Sequence, residues 1–125
     1  MNIPSNYVYS ESHEWVELDG AIARIGLTDY AQSSLGDIVF VNLPEVGDEV
    51  TVGESFSDVE SVKAVSDVFS PVTGVVSAIN EELLDSPQLI NDDCYSAWLI
   101  EVKDVTDKEN LLSSEEYESL VAKEA

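Results

Sequence analysis

The sequence predicts a mainly β fold, a compact sandwich or barrel finished by a helical tail. Three observations carry this. Short segments rich in Val, Ile and aromatics recur along the chain, turn signals separate them closely, and the tail switches to helical periodicity. The first two segments, His13 to Leu18 and Ala21 to Leu27, flank Asp19-Gly20, a pair suited to a tight turn. Thr28 is a good N-cap residue and Gly36 a good terminator, so a short helix is predicted from Thr28 to Leu35. Strands follow over Asp37 to Asn42, Glu54 to Val62, Gly74 to Ile79 and Trp98 to Val102, with breaks at Pro44-Glu45-Val46-Gly47-Asp48, Ser70-Pro71 and Thr73-Gly74. In the tail, Ser113 with Glu116 fits a capping box, and Tyr117, Leu120 and Val121 fall on one helical face. An amphipathic helix over about 113 to 123 should therefore lie on the sheet. Many short strands with close connections favour a layered β architecture over alternating α/β units.

With 125 residues the chain is expected to form one domain, 1–125, and to close a core without disulfides or a structural metal. Hydrophobic residues make up 44% and charged residues 25%, which suits a folded chain. The charge balance is the unusual feature. Against 26 Asp and Glu stand 5 Lys and Arg, a formal net charge of −21. Such a field disfavours nucleic acid and anionic membrane surfaces as partners; it keeps the protein soluble and would steer it towards basic docking surfaces. A single cysteine, Cys94, and a single histidine, His13, exclude an internal disulfide and a soft metal cluster. The segment Met1 to Trp15 has no Lys or Arg and no long apolar run, and nowhere does the sequence approach the roughly 20 apolar residues that span a bilayer. The expected location is cytoplasmic.

The cations are Arg24, Lys63, Lys103, Lys108 and Lys123, so from Ile25 to Val102 the one basic residue is Lys63. It lies between two strand-like runs within about 54 to 70, which places Val62-Lys63-Ala64 at the tip of a hairpin. An exposed turn is normally polar, yet both neighbours are apolar. Small apolar flanks suit a lysine that must enter a modifying enzyme's pocket, because they leave the approach open and add contact area. Glu60, Ser61, Val62, Ala64 and Asp67 are the residues expected to be read with the lysine, Glu60 and Asp67 by fixing its position.

Six further motifs share a pattern: Ser12-His13-Glu14-Trp15-Val16, Gly26 to Gln32, Leu35 to Val41, Leu43-Pro44-Glu45-Val46-Gly47, Val59-Glu60-Ser61-Val62-Lys63-Ala64 and Ser70-Pro71-Val72-Thr73-Gly74. With the acidic tail Ser113 to Tyr117, they make the sequence resemble the glycine cleavage H proteins from Tyr7 to about Leu120. The resemblance implies a barrel-sandwich hybrid of lipoyl and biotinyl type and a non-catalytic carrier, with lipoic acid in amide linkage on Lys63. It implies as partners a pyridoxal-phosphate glycine decarboxylase (P protein), a folate-dependent aminomethyltransferase (T protein), a flavin dihydrolipoyl dehydrogenase (L protein) and the lipoate-attaching enzymes. The carrier would shuttle the aminomethyl intermediate among the first three.

Glu14 belongs to the His-Glu-Trp motif and is the candidate to hydrogen-bond an amine-loaded arm; His13 reads as structural, and Trp15 and Trp98 as core aromatics. The segment Asn91 to Trp98 departs from the family: Cys94 stands where a proline is usual, glycines are absent and the segment is one residue shorter. No histidine falls between Gln32 and Leu35, where family members can carry one. A relay that passes octanoyl or lipoyl groups to other complexes needs the same Lys63 hairpin and is the alternative function. A biotin carrier is disfavoured, because biotinyl lysines typically sit between methionines and Met1 is the only methionine here. No nucleophile with a base and no phosphate loop supports an enzyme.

Overall fold

The computed structural model describes residues 1–124, and among these it contains nine strands and four helices. The strands are β1 (Val8–Tyr9), β2 (Glu14–Asp19), β3 (Ile22–Leu27), β4 (Ile38–Asn42), β5 (Glu49–Val50), β6 (Ser55–Ser61), β7 (Val65–Phe69), β8 (Val72–Ile79) and β9 (Ile100–Lys108). The helices are α1 (Asp29–Leu35), α2 (Glu82–Asp85), α3 (Leu89–Asp92) and α4 (Ser114–Glu124). A six-stranded sheet runs β1-β2-β3-β9-β8-β5 and a three-stranded one β4-β6-β7, with every pairing antiparallel. Val16, Ile25, Val76 and Val102 of the larger sheet and Val41, Val59 and Val68 of the smaller belong to one buried cluster, so the core lies between the sheets. The mainly β class expected from the alternating segments is the one observed.

The caps predicted for the helices form. Thr28 Oγ1 accepts from the Ala31 amide at 3.2 Å, and Gly36 closes α1 by donating its amide to the Gln32 carbonyl at 3.0 Å. Gly36 has φ 80°, a conformation that favours glycine. At the start of α4 the capping box is reciprocal: Glu116 N–H donates to Ser113 Oγ at 3.2 Å, and Ser113 N–H donates to Glu116 Oε1 at 3.0 Å. Tyr117 and Val121 on the inner face of α4 pack with Tyr9 and Trp15, a second core beside the first.

Four expectations need correction, the first being the break at Thr73-Gly74: both residues lie inside β8, and the glycine marks a register shift in the strand, not its end. The strand expected over Trp98 to Val102 is β9, which starts at Ile100 and runs to Lys108, because Lys103, Asp107 and Lys108 pair with β8 through backbone bonds and stay exposed. Their side chains carry no burial pattern, so alternation could not reveal them. The two-residue strands β1 and β5 and the one-turn helices α2 and α3 were not anticipated; the helices exist to bury Leu83 and Ile90, both fully enclosed. Trp98 is half-buried, with the Arg24 guanidinium 4.9 Å from its ring centre, rather than a core residue as Trp15 is.

Gly26 is where β3 crosses the Trp15 ring. A Cβ there would stand 2.5 Å from the indole, whose Nε1 is itself tied to the Cys94 carbonyl at 3.0 Å, so the ring cannot swing away freely. Gly26→Ala should lower the unfolding free energy by about 2 kcal/mol. Urea titration measures this, and an unchanged midpoint would show that the indole relaxes without cost.

Candidate functional site

Lys63 lies in the turn between β6 and β7, exposed, with Val62 and Ala64 exposed on either side. The expected hairpin is present, but its tip is closed by a side chain. Ser61 N–H donates to the Ala64 carbonyl at 2.8 Å, while Ser61 Oγ accepts from the amides of Lys63 at 3.3 Å and Ala64 at 3.0 Å. The hydroxyl takes the place of a backbone acceptor, so neither Val62 nor Lys63 needs the positive φ of a glycine turn. Ser61, expected only as part of a recognition pattern, is thus the local support of the lysine.

The tip is also pinned from outside. Val62 N–H donates to the Asp37 carbonyl at 3.0 Å, and Asp37 lies in the link between α1 and β4. Asn91 of α3 holds that link: its Nδ2 donates to the Gly36 carbonyl and to Gln32 Oε1, each at 2.9 Å, and its Oδ1 accepts from Ile38 N–H at 2.8 Å. The lysine side chain passes over this platform, since a Cβ on Gly36 would be 3.6 Å from Lys63 Cε. Sequence reasoning missed Asn91. It falls within the divergent segment, and nothing local in a single sequence links it to residue 63.

Glu60 and Asp67 do not hold the lysine by ion pairs: among the described residues the salt bridges are Arg24–Glu101 and His13–Glu124. Glu60 lies on the outer sheet face between Phe40 and Val65, and Asp67 faces another feature. That feature is a cleft of about 160 Å³ lined by Ser12, His13, Glu14, Leu27, Tyr30, Ala31, Ser34, Leu35, Ser66 and Asp67. Leu27, Ala31 and Leu35 give it an apolar wall, and α1, which ends under the lysine at Gly36, forms one side. Ser34 stands in the cleft, in the stretch where the family resemblance allows a histidine. A wider depression of about 300 Å³ is lined by Pro44, Asp48, Glu49 and Glu54, and it includes none of the expected site residues.

Glu14 lies in the cleft wall with 1% of its surface exposed. Ser10 Oγ donates to its Oε1 at 2.6 Å, Ser12 Oγ to the same atom at 2.5 Å, and Phe69 N–H to Oε2 at 3.4 Å. Burial pushes the carboxyl up to about 7, against the opposing pull of the two hydroxyls and the amide. Near neutral pH it can therefore accept a proton or release one. His13 has φ 74°, which turns the chain sharply from the loop into β2. Its Nδ1 is 2.8 Å from the Tyr117 hydroxyl and its Nε2 3.0 Å from Glu124, and Tyr117 also meets Thr28 Oγ1 at 2.7 Å. The histidine fastens α4 to the rim of the cleft, in keeping with a structural reading. Cys94 is buried, and burial pushes its thiol up to about 12, so it carries no reactive thiolate at neutral pH.

The family model described as "Glycine cleavage H-protein" matches residues 7–124. The chain belongs to the glycine cleavage H-protein family. The glycine cleavage system H protein of Lachnoclostridium phytofermentans is 62% identical over 125 residues, covering 99% of this chain and 98% of that protein. That of Halothermothrix orenii is 55% identical over 120 residues, covering 94% of each. The crystal structure of a glycine cleavage system H protein from Mycobacterium marinum superposes with a TM-score of 0.90 at 39% identity, over 96% of this chain and 99% of that one. The lipoyl-type fold implied by the resemblance is therefore the fold of this chain, and membership makes it a non-catalytic lipoyl carrier subunit.

Proposed function

We propose that Lys63 is the attachment residue for lipoic acid and that the chain, acting as one cytoplasmic carrier domain, moves the aminomethyl group of glycine between the decarboxylase, the aminomethyltransferase and dihydrolipoyl dehydrogenase. The observation that carries this reading is the placement of Lys63: exposed, without an ion pair among the described residues, at a braced hairpin tip whose platform leads to the cleft. The residues fit the group. Lys63 Nζ is open to an amide bond, which removes its charge and leaves a neutral arm. Leu27, Ala31 and Leu35 offer that arm an apolar wall, and Glu14 offers its far end a carboxylate.

When bound, lipoic acid supplies a disulfide that can be reduced and can take up a one-carbon amine. The chain's own residues then divide the work. Ser61 holds the turn that carries the anchoring lysine, Asp37 holds its neighbour Val62, Asn91 holds Gly36 and Ile38 on either side of Asp37, and Glu14 receives an amine brought into the cleft, gaining a charge-assisted hydrogen bond when ionised. Anchoring the group at one point replaces diffusion by a high local concentration at each docked partner. Glu60, Ser61, Val62, Ala64 and Asp67 remain the residues we assign to recognition by the lipoate-attaching enzymes, with Ser61 acting through the shape of the turn. Intact-mass measurement of protein made with lipoate present, followed by peptide mapping, should place one lipoyl group on Lys63; a group found on Lys103, Lys108 or Lys123 would overturn the assignment.

The net charge of −21 adds a kinetic expectation. Between about 0.01 and 0.15 M salt the screening length falls from about 30 to about 8 Å, so the KM of the decarboxylase for the carrier should rise severalfold over that range. A flat KM would leave solubility as the role of the acidic surface.

A further inference from the structure

The loop that delivers Glu14 to the cleft is built around one buried hydroxyl. Between β1 and β2 the chain turns over Ser10, Glu11, Ser12 and His13, and Ser10 has no exposed surface. Its carbonyl accepts from His13 N–H at 3.2 Å, and its own N–H donates to the Glu14 carbonyl at 2.9 Å. The Glu14 N–H goes instead to Ser10 Oγ, at 2.9 Å. The same hydroxyl donates to Glu14 Oε1 at 2.6 Å, so one side-chain oxygen holds the glutamate at both ends. A hydroxyl has a single proton, and the other acceptors within reach, the Glu14 carbonyl and Ser12 Oγ, both lie at 3.4 Å; the carboxyl takes it. Ser12 donates to the same Oε1 at 2.5 Å but is exposed, so water can stand in for it. Oε2 is left, among the described residues, with the Phe69 N–H at 3.4 Å, and is the oxygen open to a donor that enters the cleft. The ionisable groups nearby do not replace this support. His13, Tyr30 and Asp67 line the same cleft, Glu109 adds repulsion and Tyr117 lies close, yet among the described residues none of them hydrogen-bonds the carboxyl.

We infer that Ser10 is a positioning residue: by clamping Glu14 at its amide and at Oε1, it fixes the side chain so that Oε2 is the oxygen presented to an amine on the arm. The inference rests on the reading that Glu14 receives that amine. A free glutamate would have to order its side-chain torsions each time an amine arrived, whereas here two hydrogen bonds to one hydroxyl have already ordered them. Ser10 is not among the residues that line the cleft, so it acts through Glu14.

The test follows the Glu14 carboxyl by carbon-13 NMR in lipoylated protein, before and after loading with amine by the decarboxylase and glycine. The Glu14 signal is the one that Glu14→Gln removes. Burial pushes the carboxyl up to about 7, and a cationic amine paired with it should bring the midpoint down by about 2 pH units in the parent. The quantity compared is this fall on loading, so any change that a substitution makes to the unloaded carboxyl cancels. Ser10→Ala should lose most of the fall, whereas Ser10→Thr, which keeps the hydroxyl, and Ser12→Ala should retain it. Ser10→Ala also leaves the Glu14 N–H without its acceptor and lowers stability under a merely structural role as well, so the loading response is what discriminates. Ser10→Cys, of similar shape but a weaker donor, takes its place if the alanine variant does not fold, and should also lose most of the fall. A full fall in a folded Ser10→Ala or Ser10→Cys protein, or equal losses in Ser10→Ala and Ser12→Ala, overturns the inference. A Glu14 midpoint that loading leaves unmoved in the parent would instead overturn the reading beneath it.

Discussion

Lys63→Arg should leave the melting temperature within about 2 °C of the parent and remove the lipoyl mass increment entirely, and glycine turnover with it. The side chain is exposed and contributes nothing to either core, so a change that keeps its length and charge has little to disturb. The chemistry changes completely, because a guanidinium stays protonated and does not form the acyl amide that a lysine amine forms. A companion variant tests position rather than chemistry. Val62→Lys with Lys63→Ala keeps an amine one residue away, and both sites are exposed, so the fold should persist. Residues 62 to 64 lie in the turn rather than in a strand, so the argument does not depend on strand alternation. It depends on the bracing: the amide of residue 62 is fixed to Asp37, and the side chain that crosses Gly36 starts from residue 63. The displaced lysine leaves from a different point of that frame and should escape modification. Lipoylation of the double variant to the parent's extent, read by intact mass, would show that the attaching enzyme tolerates register.

Glu14 should give the protein a pH dependence that Glu14→Gln removes. Its carboxyl titrates at about 7 when folded, against an ordinary value of 4.5, with burial as the main cause. Between those two values the folded state holds a proton that the unfolded state has released. Stability from this group is thus fully present below about 4.5, declines as pH rises through the window and is lost above about 7, a change of roughly 3 kcal/mol. The other carboxylates also repel one another more as pH rises, so the informative quantity is the difference between parent and Glu14→Gln. In urea unfolding at pH 5 and pH 8, the variant should lose much less stability than the parent over that interval. The two serine hydroxyls can still donate to the amide oxygen, and lipoylation of Lys63 should be unaffected. Parallel slopes in the two proteins would mean that the buried carboxyl titrates at its ordinary value.

How much of this was legible in the sequence depended on whether the signal was local. Alternation gave the strands only in part: β8 was read from Gly74, while Val72 and Thr73, which extend it, were lost to the turn read at Thr73-Gly74. Thr28, Gly36, Ser113 and Glu116 gave the helix ends, because caps are contacts within a few residues. Lys63 stood out by isolation from other cations. The cleft was different. Ser12 comes from the turn before β2 and Glu14 from its first residue, Ser34 and Leu35 from α1, and Ser66 and Asp67 from β7, and only the topology brings them together. Asp67 was expected to fix the lysine's position and instead lines the cleft without pairing with it; Glu14 was found through a family motif, and the hydrogen bonds that Ser10 and Ser12 give it were not. Asn91 was hidden because its three hydrogen bonds reach residues more than 50 positions away.

That long reach changes what the lysine reports. Its attitude is set by Ser61 within the turn, by Asp37 from the α1–β4 link and, through Asp37's neighbours, by Asn91 from α3. A free peptide with the same local sequence would carry the same amine without the frame that aims it. An attaching enzyme that recognises the aimed lysine is therefore inspecting the finished tertiary structure, and the modification becomes a certificate of folding, withheld from chains that have not yet assembled three distant parts of themselves around residue 63.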